Sequence, residues 1–262
     1  MKRIAVLGGD GMLGSMVVKV LKKAGVDVKV FTRKELDAEL VTQKSLDKLL
    51  FNIDCIINCI GIINKYITDN DSIVRAIKVN SLFPYMLSDT GIPVIQIATD
   101  CAGELDPYGM TKKLGEVEAF NFCNIRCSII GPGNKDNLLD WFLSQKEVKG
   151  FAHHFWNGVT TLAFAKLCLG LIDKERLNEY DQFNFVPLDY VSKYELFQLF
   201  KKYYKTKTKI DFVSKREVKD RVLPISYDSD FCDSGTSALW HIAGYGHQPT
   251  IEQLIKEMKE YK

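Results

Sequence analysis

Arg3-Ile4-Ala5-Val6-Leu7-Gly8-Gly9-Asp10-Gly11-Met12-Leu13-Gly14 lies at the start of the chain, and its reading decides the fold. Ile4 to Leu7 is a short apolar run, and the residues from Met12 to Ala24 carry a helical pattern. Between them Gly8, Gly11 and Gly14 form a G-x-x-G-x-x-G frame. Gly8 permits a tight turn, Gly11 lets a pyrophosphate approach the backbone, and Gly14 lets the helix pack on the strand. The helix N-terminus then faces the phosphates. Strand, glycine turn and helix in this order are the context that dinucleotide binding requires. Gly8, Asp10, Gly11, Met12 and Leu13 are therefore candidate cofactor contacts.

Working outward, β-rich runs at Val28–Phe31, Cys55–Asn58, Val94–Ala98 and Asn124–Ile130 alternate with helical patterns at Ser45–Leu50, Ser72–Leu87 and Tyr108–Ala119. Several of these strands are apolar throughout, as strands buried on both faces of a parallel sheet are. The alternation predicts an α/β, Rossmann-type doubly wound parallel sheet. After Gly131-Pro132-Gly133 the pattern changes. Helices at Leu138–Ser144, Leu162–Ile172, Lys193–Tyr203 and Thr250–Met258 mix with strands at Gln182–Val186 and Lys209–Val213. Residues 1–133 are expected to form the nucleotide domain, with a further strand and helices drawn from 134–190. Residues 134–262 are expected to be mainly a smaller α+β substrate-binding region.

The second strand runs into Thr32-Arg33-Lys34. An acid here holds the ribose 2′-hydroxyl of NAD, whereas an arginine favours a 2′-phosphate. Arg33, with Lys34 beside it, thus points to NADP(H). Further on, Tyr108-Gly109-Met110-Thr111-Lys112 is Y-x-x-x-K, which puts tyrosine and lysine on one helix face. A lysine ammonium beside the phenol favours the phenolate. The tyrosine could then donate a proton to a carbonyl oxygen as hydride reaches carbon. Thr99 ends the preceding strand, where a hydroxyl beside the crevice can hold the substrate carbonyl. Thr99, Tyr108 and Lys112 form the candidate catalytic trio.

The 262 residues are 46% hydrophobic and 26% charged, with a net charge of +2, so a sizeable core is expected and no nucleic-acid footprint is seen. No apolar run is long enough for a membrane span, and Ile4–Leu7 is too short for a signal peptide. Of the seven cysteines, Cys55, Cys59, Cys123 and Cys127 lie in or beside apolar runs at non-ligand spacings and read as small buried hydrophobes in a reducing, cytoplasmic setting, Cys101 stands apart, and no metal site is expected.

Together these residues resemble the extended short-chain dehydrogenase/reductases, and within them the dTDP-4-dehydrorhamnose reductase family. The likeness extends to Leu36-Asp37, to Asp54 through Gly61, to Asn80 with Pro84, and to Arg126 through Pro132. It also takes in Trp156-Asn157-Gly158-Val159-Thr160-Thr161. The resemblance implies that Cys59, Ile60, Gly61 and Asn80, with Tyr108 and Lys112, line the cofactor, and that Asn80 also supports the active-site helix. It implies that Trp156, Asn157 and Thr160 contact the sugar nucleotide. His153 and His154 flank that loop and are read as surface or packing residues. One departure is a short segment, Cys101 to Pro107, where relatives carry a longer loop over the substrate.

The resemblance implies NADPH-dependent reduction of the C4 keto group of a nucleotide-linked 4-keto-6-deoxyhexose, as in the making of an NDP-L-rhamnose type of deoxysugar. A second enzymatic reading adds epimerisation at C3 and C5, with Cys101 as acid–base, its thiol tuned toward neutrality, and Lys135 as the opposing group. A non-enzymatic alternative is an NADP-binding regulatory subunit similar to the methionine adenosyltransferase β subunit. The expected partner is the nucleotide-sugar substrate, without nucleic acid or membrane; the sequence leaves open a homodimer.

Overall fold

The computed structural model describes residues 2–133, 137–173, 182–225 and 236–261. Strand β1 (Arg3–Leu7) sends Ile4 and Val6 into one core and Ala5 and Leu7 into another. A strand buried on both faces must lie inside a sheet covered by helices on each side, and the elements that follow supply them. They are α1 (Met12–Lys23), β2 (Asp27–Phe31), α2 (Gln43–Leu49) and β3 (Cys55–Asn58). Next come α3 (Asn70–Ala76), a π-helical turn (Ile77–Leu82), α4 (Phe83–Ser88), β4 (Val94–Ala98), α5 (Pro107–Leu114) and β5 (Phe122–Arg126).

The second half contributes β6 (Ile129–Ile130), α6 (Leu138–Ser144), β7 (Glu147–Phe151), β8 (His154–Trp156), β9 (Val159–Thr160) and α7 (Thr161–Asp173). It continues with β10 (Gln182–Asn184), β11 (Val191–Ser192), α8 (Lys193–Tyr204), β12 (Lys209–Val213) and β13 (Lys219–Arg221). Two helices, α9 (Thr236–Ile242) and α10 (Ile251–Glu260), close the described chain.

The main sheet has the order β10-β5-β4-β3-β1-β2 and is parallel throughout. The expected Rossmann-type sheet is therefore present. Strand order reverses between β1 and β3, so a crevice opens beyond their carboxyl ends. Residues Leu46, Leu50, Val79, Phe83 and Leu87 cover one face of the sheet. On the other face α1 packs against α7, whose Leu162, Phe164, Leu167, Cys168 and Leu171 are all buried. Strand β10 and α7 come from the second half of the chain and complete this layer. Outside it, β7 pairs with β12, β8 pairs with β11 and β13, and β6 pairs with β9.

Three local differences from the sequence-based expectations have physical causes. The apolar run Asn124–Ile130 is not one strand: β5 ends at Arg126, and β6 pairs with β9 in a separate sheet. Arg126 is anchored there by two 2.6 Å contacts to the buried carboxylate of Glu116. The helix starting near Tyr108 ends at Leu114 rather than Ala119, because α5 presses on the π-helical turn at Gly115. A Cβ on Gly115 would stand 1.9 Å from the Asn80 carbonyl oxygen. Finally, the single helix read over Ser72–Leu87 contains the π-helical turn, and Asn80 lies in it.

Candidate active site

The crevice at the strand-order reversal has two ends. An adenosine-sized cavity of about 220 Å³ is walled by Gly8, Asp10, Arg33, Glu39 and Arg75. A larger one of about 590 Å³ reaches Met12, Leu13, Thr99, Cys101, Tyr108 and Lys112. Gly11, Cys59, Ile60 and Gly61 border both, so they form the waist.

The glycine turn has the geometry its spacing predicts. Gly8 adopts φ +73°, a left-handed conformation that side chains other than glycine resist. A Cβ on Gly14 would stand 2.1 Å from the Gly8 carbonyl oxygen, so helix and turn touch backbone to backbone. Gly11 caps α1 without a side-chain hydrogen bond, and the first turn holds no acid. Its amides and partial positive charge thus face the crevice, which suits an anionic pyrophosphate. Across the waist, Gly61 has, among the described residues, only Asn80 Oδ1 and Lys112 Nζ near its missing side chain, at 3.5 and 4.0 Å. The chain therefore fits a dinucleotide, with backbone on both walls. Asn80 does not face either cavity. Its amide closes on the backbone of Ile62 and touches Thr111 on α5, so it supports the β3 loop and the helix together.

The trio comes together at the far end. Thr99 follows β4 and is buried. Asp106 caps α5 by accepting from Gly109 N at 2.6 Å, with Pro107 at the first helical position. That start point turns Tyr108 to the strand end, where its hydroxyl donates to Thr99 Oγ1 at 3.4 Å. Gly109 makes the short segment before α5 workable. A Cβ there would lie 2.5 Å from the Cys101 carbonyl oxygen and 2.6 Å from that of Glu104. One turn further on, Lys112 is buried and donates to the Ile97 carbonyl at 2.9 Å.

The electrostatics correct two expectations. Burial pushes the Tyr108 phenol up to about 12, against a smaller opposing effect from the Thr99 hydrogen bond. The lysine does not hold it as a phenolate: burial brings Lys112 down to about 8, and its ammonium is turned to the Ile97 carbonyl. Tyr108 is thus a neutral phenol at neutral pH, the form that donates a proton. Cys101 does line the cavity, but burial, reinforced by Asp100, raises its thiol to about 11. The expected tuning toward neutrality is reversed.

The substrate-side loop is not brought to the cavity. Asn157 is buried and spends both amide atoms on the backbone of Leu223, at 2.8 and 2.9 Å. Thr160 is buried and accepts from Ala163 N in the first turn of α7. Trp156 packs at the edge of the core, with its ring against Gly158. All three therefore fasten the second half of the chain. His153 is buried and accepts from Lys215 N, while His154 stacks on Phe151, as packing residues do. Lys135 lies outside the described residues.

Two residues that the sequence did not single out stand at the substrate end. Arg221, on β13, lines the larger cavity and pairs with Glu104 at 3.2 Å. Asp100 accepts from Thr99 Oγ1 at 3.1 Å, while its buried second oxygen has no hydrogen-bond partner among the described residues. Arg221 lies over one hundred residues from the motifs it meets, in a polar stretch without periodic signal, so only the β8–β13 pairing reveals it.

A parallel sheet with a glycine turn, a β3 loop and a tyrosine–lysine helix meeting at one crevice defines the extended short-chain dehydrogenase/reductase class. Residues 4–137 match the model of the NAD dependent epimerase/dehydratase family, and the chain belongs to that family. None of the curated proteins matches it. Among solved structures it is similar to a dTDP-4-dehydrorhamnose reductase from Bacillus anthracis in complex with NADP. The two are 17% identical over 98% of this chain and 99% of that one, with a TM-score of 0.77. A dTDP-4-dehydrorhamnose reductase from Clostridium acetobutylicum is 19% identical over 98% of both chains, with a TM-score of 0.74. A GDP-mannoheptose C4 reductase from Campylobacter jejuni with NADP bound is 13% identical over 99% and 97%, with a TM-score of 0.70. At these identities the likeness is one of fold.

Proposed function

We propose that the chain is an NADPH-dependent reductase of a nucleotide-linked keto-sugar, acting on the C4 carbonyl of a 4-keto-6-deoxyhexose. The observation that carries this reading is the 3.4 Å contact between Tyr108 and Thr99 on the wall of a cavity joined to the glycine turn. Solved structures of like fold include NADP complexes of two sugar-nucleotide reductases, which supports the choice of cofactor and substrate class.

Bound NADPH supplies hydride. The chain's own residues do the rest. Thr99 and Tyr108 present two hydroxyls to one carbonyl oxygen, polarising it as negative charge develops there. Tyr108, a neutral phenol at neutral pH, holds the proton that this oxygen takes up. Lys112 is fixed under Gly61 by the Ile97 carbonyl, where a cation can orient the cofactor's ribose. Arg221 stands at the same cavity as a counter-charge for the substrate's diphosphate. The thiol of Cys101 is protonated at neutral pH, so the proposed reaction is reduction without proton exchange at neighbouring carbons.

The test is NADPH oxidation across UDP-, dTDP- and GDP-linked 4-keto-6-deoxy sugars, with products identified by NMR. Turnover of one of them to the 4-hydroxy sugar is expected. Tight NADPH binding with no turnover across the panel would instead favour a regulatory, non-catalytic role.

A further inference from the structure

The adenosine end of the crevice carries a second arginine that the glycine-turn pattern does not call for. Arg75 belongs to α3 and lines the same cavity as Arg33. Both guanidinium groups reach a single atom: Glu39 Oε2 accepts from Arg75 Nε at 2.9 Å and from Arg33 Nη2 at 3.5 Å. Arg33 Nε also reaches Asp37 Oδ2 at 3.1 Å. The Glu39 side chain is only 19% exposed, whereas those of Arg33 and Arg75 are 66% and 46% exposed.

An exposed ion pair by itself contributes little and would need no explanation. Here the arrangement is more specific. Two arginines from separate elements converge on one oxyanion position, in the wall of a cavity bordered by the glycine turn. A phosphate oxygen makes the same kind of contact with guanidinium groups as a carboxylate oxygen. A phosphate monoester also carries more charge and more acceptors than the carboxylate it would displace.

We propose that Arg75 is the second arm of a clamp for the 2′-phosphate, and that Glu39 is its placeholder. Glu39 holds Arg33 and Arg75 in position in the cofactor-free protein and gives them up to the phosphate. Asp10 and Asp37 also border this cavity, so each arginine freed from Glu39 offsets negative charge that would otherwise repel the ligand. This inference rests on the NADP(H) reading above and adds to it the residues that decide between the two nicotinamide cofactors.

The experiment is calorimetric titration of the cofactor-free protein with NADPH, NADH, 2′,5′-ADP and 5′-ADP. The proteins compared are the wild type, Arg75→Ala and Glu39→Gln, each checked by thermal melting. Arg75→Ala is expected to lose about tenfold or more in affinity for the two 2′-phosphate ligands and roughly twofold or less for the other two. Glu39→Gln is expected to bind NADPH more tightly with NADH unchanged, because the competing charge is gone. Equal losses for both cofactors in Arg75→Ala, or none, overturn the second arm; selective weakening of NADPH in Glu39→Gln overturns the placeholder. A wild type with no preference for NADPH overturns the NADP(H) reading and the clamp with it. A preference that Arg75→Ala leaves undiminished overturns the clamp alone.

Discussion

The side-chain amide of Asn80 is matched to the backbone of Ile62 at both ends. Its Oδ1 accepts from Ile62 N at 2.8 Å, and its Nδ2 donates to Ile62 O at 2.9 Å. This pairing fastens the loop after β3, the outer wall of the crevice, to the π-helical turn against which α5 packs. Cofactor wall and catalytic helix thus share one support. Asn80→Asp is nearly isosteric but sets a carboxylate oxygen against the Ile62 carbonyl. It is expected to weaken NADPH binding about tenfold or more, with a loss of stability of about 1–3 kcal/mol from unmatched buried polar groups. Titration calorimetry and urea unfolding measure the two effects; unchanged affinity would mean that the loop holds without the amide.

Tyr108→Phe removes the proton donor and leaves the ring in place. Turnover is expected to fall about 10²–10⁴-fold, as for loss of a general acid, while NADPH affinity stays the same. Thr99→Val should lower turnover in the same direction by removing the second hydroxyl from the carbonyl oxygen. Steady-state rates and cofactor titration on each variant check this, and undiminished turnover in Tyr108→Phe would exclude it as the acid.

Lys112 makes stability depend on pH with a definite sign. Burial lowers its pKa from 10.5 to about 8 in the folded cofactor-free protein. Below pH about 8 the amine is charged in both states, and its desolvation penalty is fully present. Between about 8 and 10.5 the unfolded chain binds a proton that the folded protein has released, so stability rises with pH. Above 10.5 both states are neutral and the penalty is gone. Relative to Lys112→Met, the wild type is expected to gain on the order of 3 kcal/mol across this window. Urea unfolding of both proteins at pH 7 and pH 10.5 reads the change; a constant difference would mean an unshifted amine.

Much of this site was legible because its parts are local. The strand, glycine turn and helix from Arg3 to Lys23 follow one another without interruption, and Tyr108 and Lys112 share one helix face. The observed bounds of β3 and β4 coincide with the apolar runs that predict them, and β1 adds only Arg3 to its run. What was not legible depends on contacts between distant segments. Asn157 and Thr160 are polar residues in a loop, a pattern that suits substrate contact as well as a backbone clamp; only the position of Leu223 decides. The π-helical turn leaves no mark on the apolar periodicity of residues 72–87. The pKa of Tyr108 is governed by burial, which the Y-x-x-x-K spacing does not report.

Arg221 offers a test of how the second half of the chain grips the substrate. It faces the catalytic cavity from β13 and is tied to Glu104 in the short segment after Thr99. Arg221→Ala is expected to raise KM for the nucleotide-sugar about tenfold or more, with the Kd for NADPH unchanged, since a charge-assisted contact to the diphosphate is lost. Glu104→Gln releases the arginine and should leave KM unchanged or lower it. A Kd for NADPH that moves with KM in Arg221→Ala would place the arginine on the cofactor instead.

Cys101 decides whether reduction is accompanied by epimerisation. Its sulfur lies in the catalytic cavity, 3.6 Å from Asp100 Oδ1, to which the thiol donates. A base that removes protons beside a ketone must be the thiolate, and burial with Asp100 alongside holds the thiol up at about 11. Arg221 works in the other direction, but its guanidinium is shared with Glu104. At neutral pH the thiolate is therefore a very small fraction of the protein. Incubation with NADPH and an NDP-4-keto-6-deoxyglucose in deuterated water is expected to give a product reduced at C4 without solvent deuterium at C3 or C5. Cys101→Ala should reduce the same substrate at a similar rate. Deuterium at either carbon, lost in Cys101→Ala, would show that the thiolate is reached during turnover and that the enzyme is an epimerase as well.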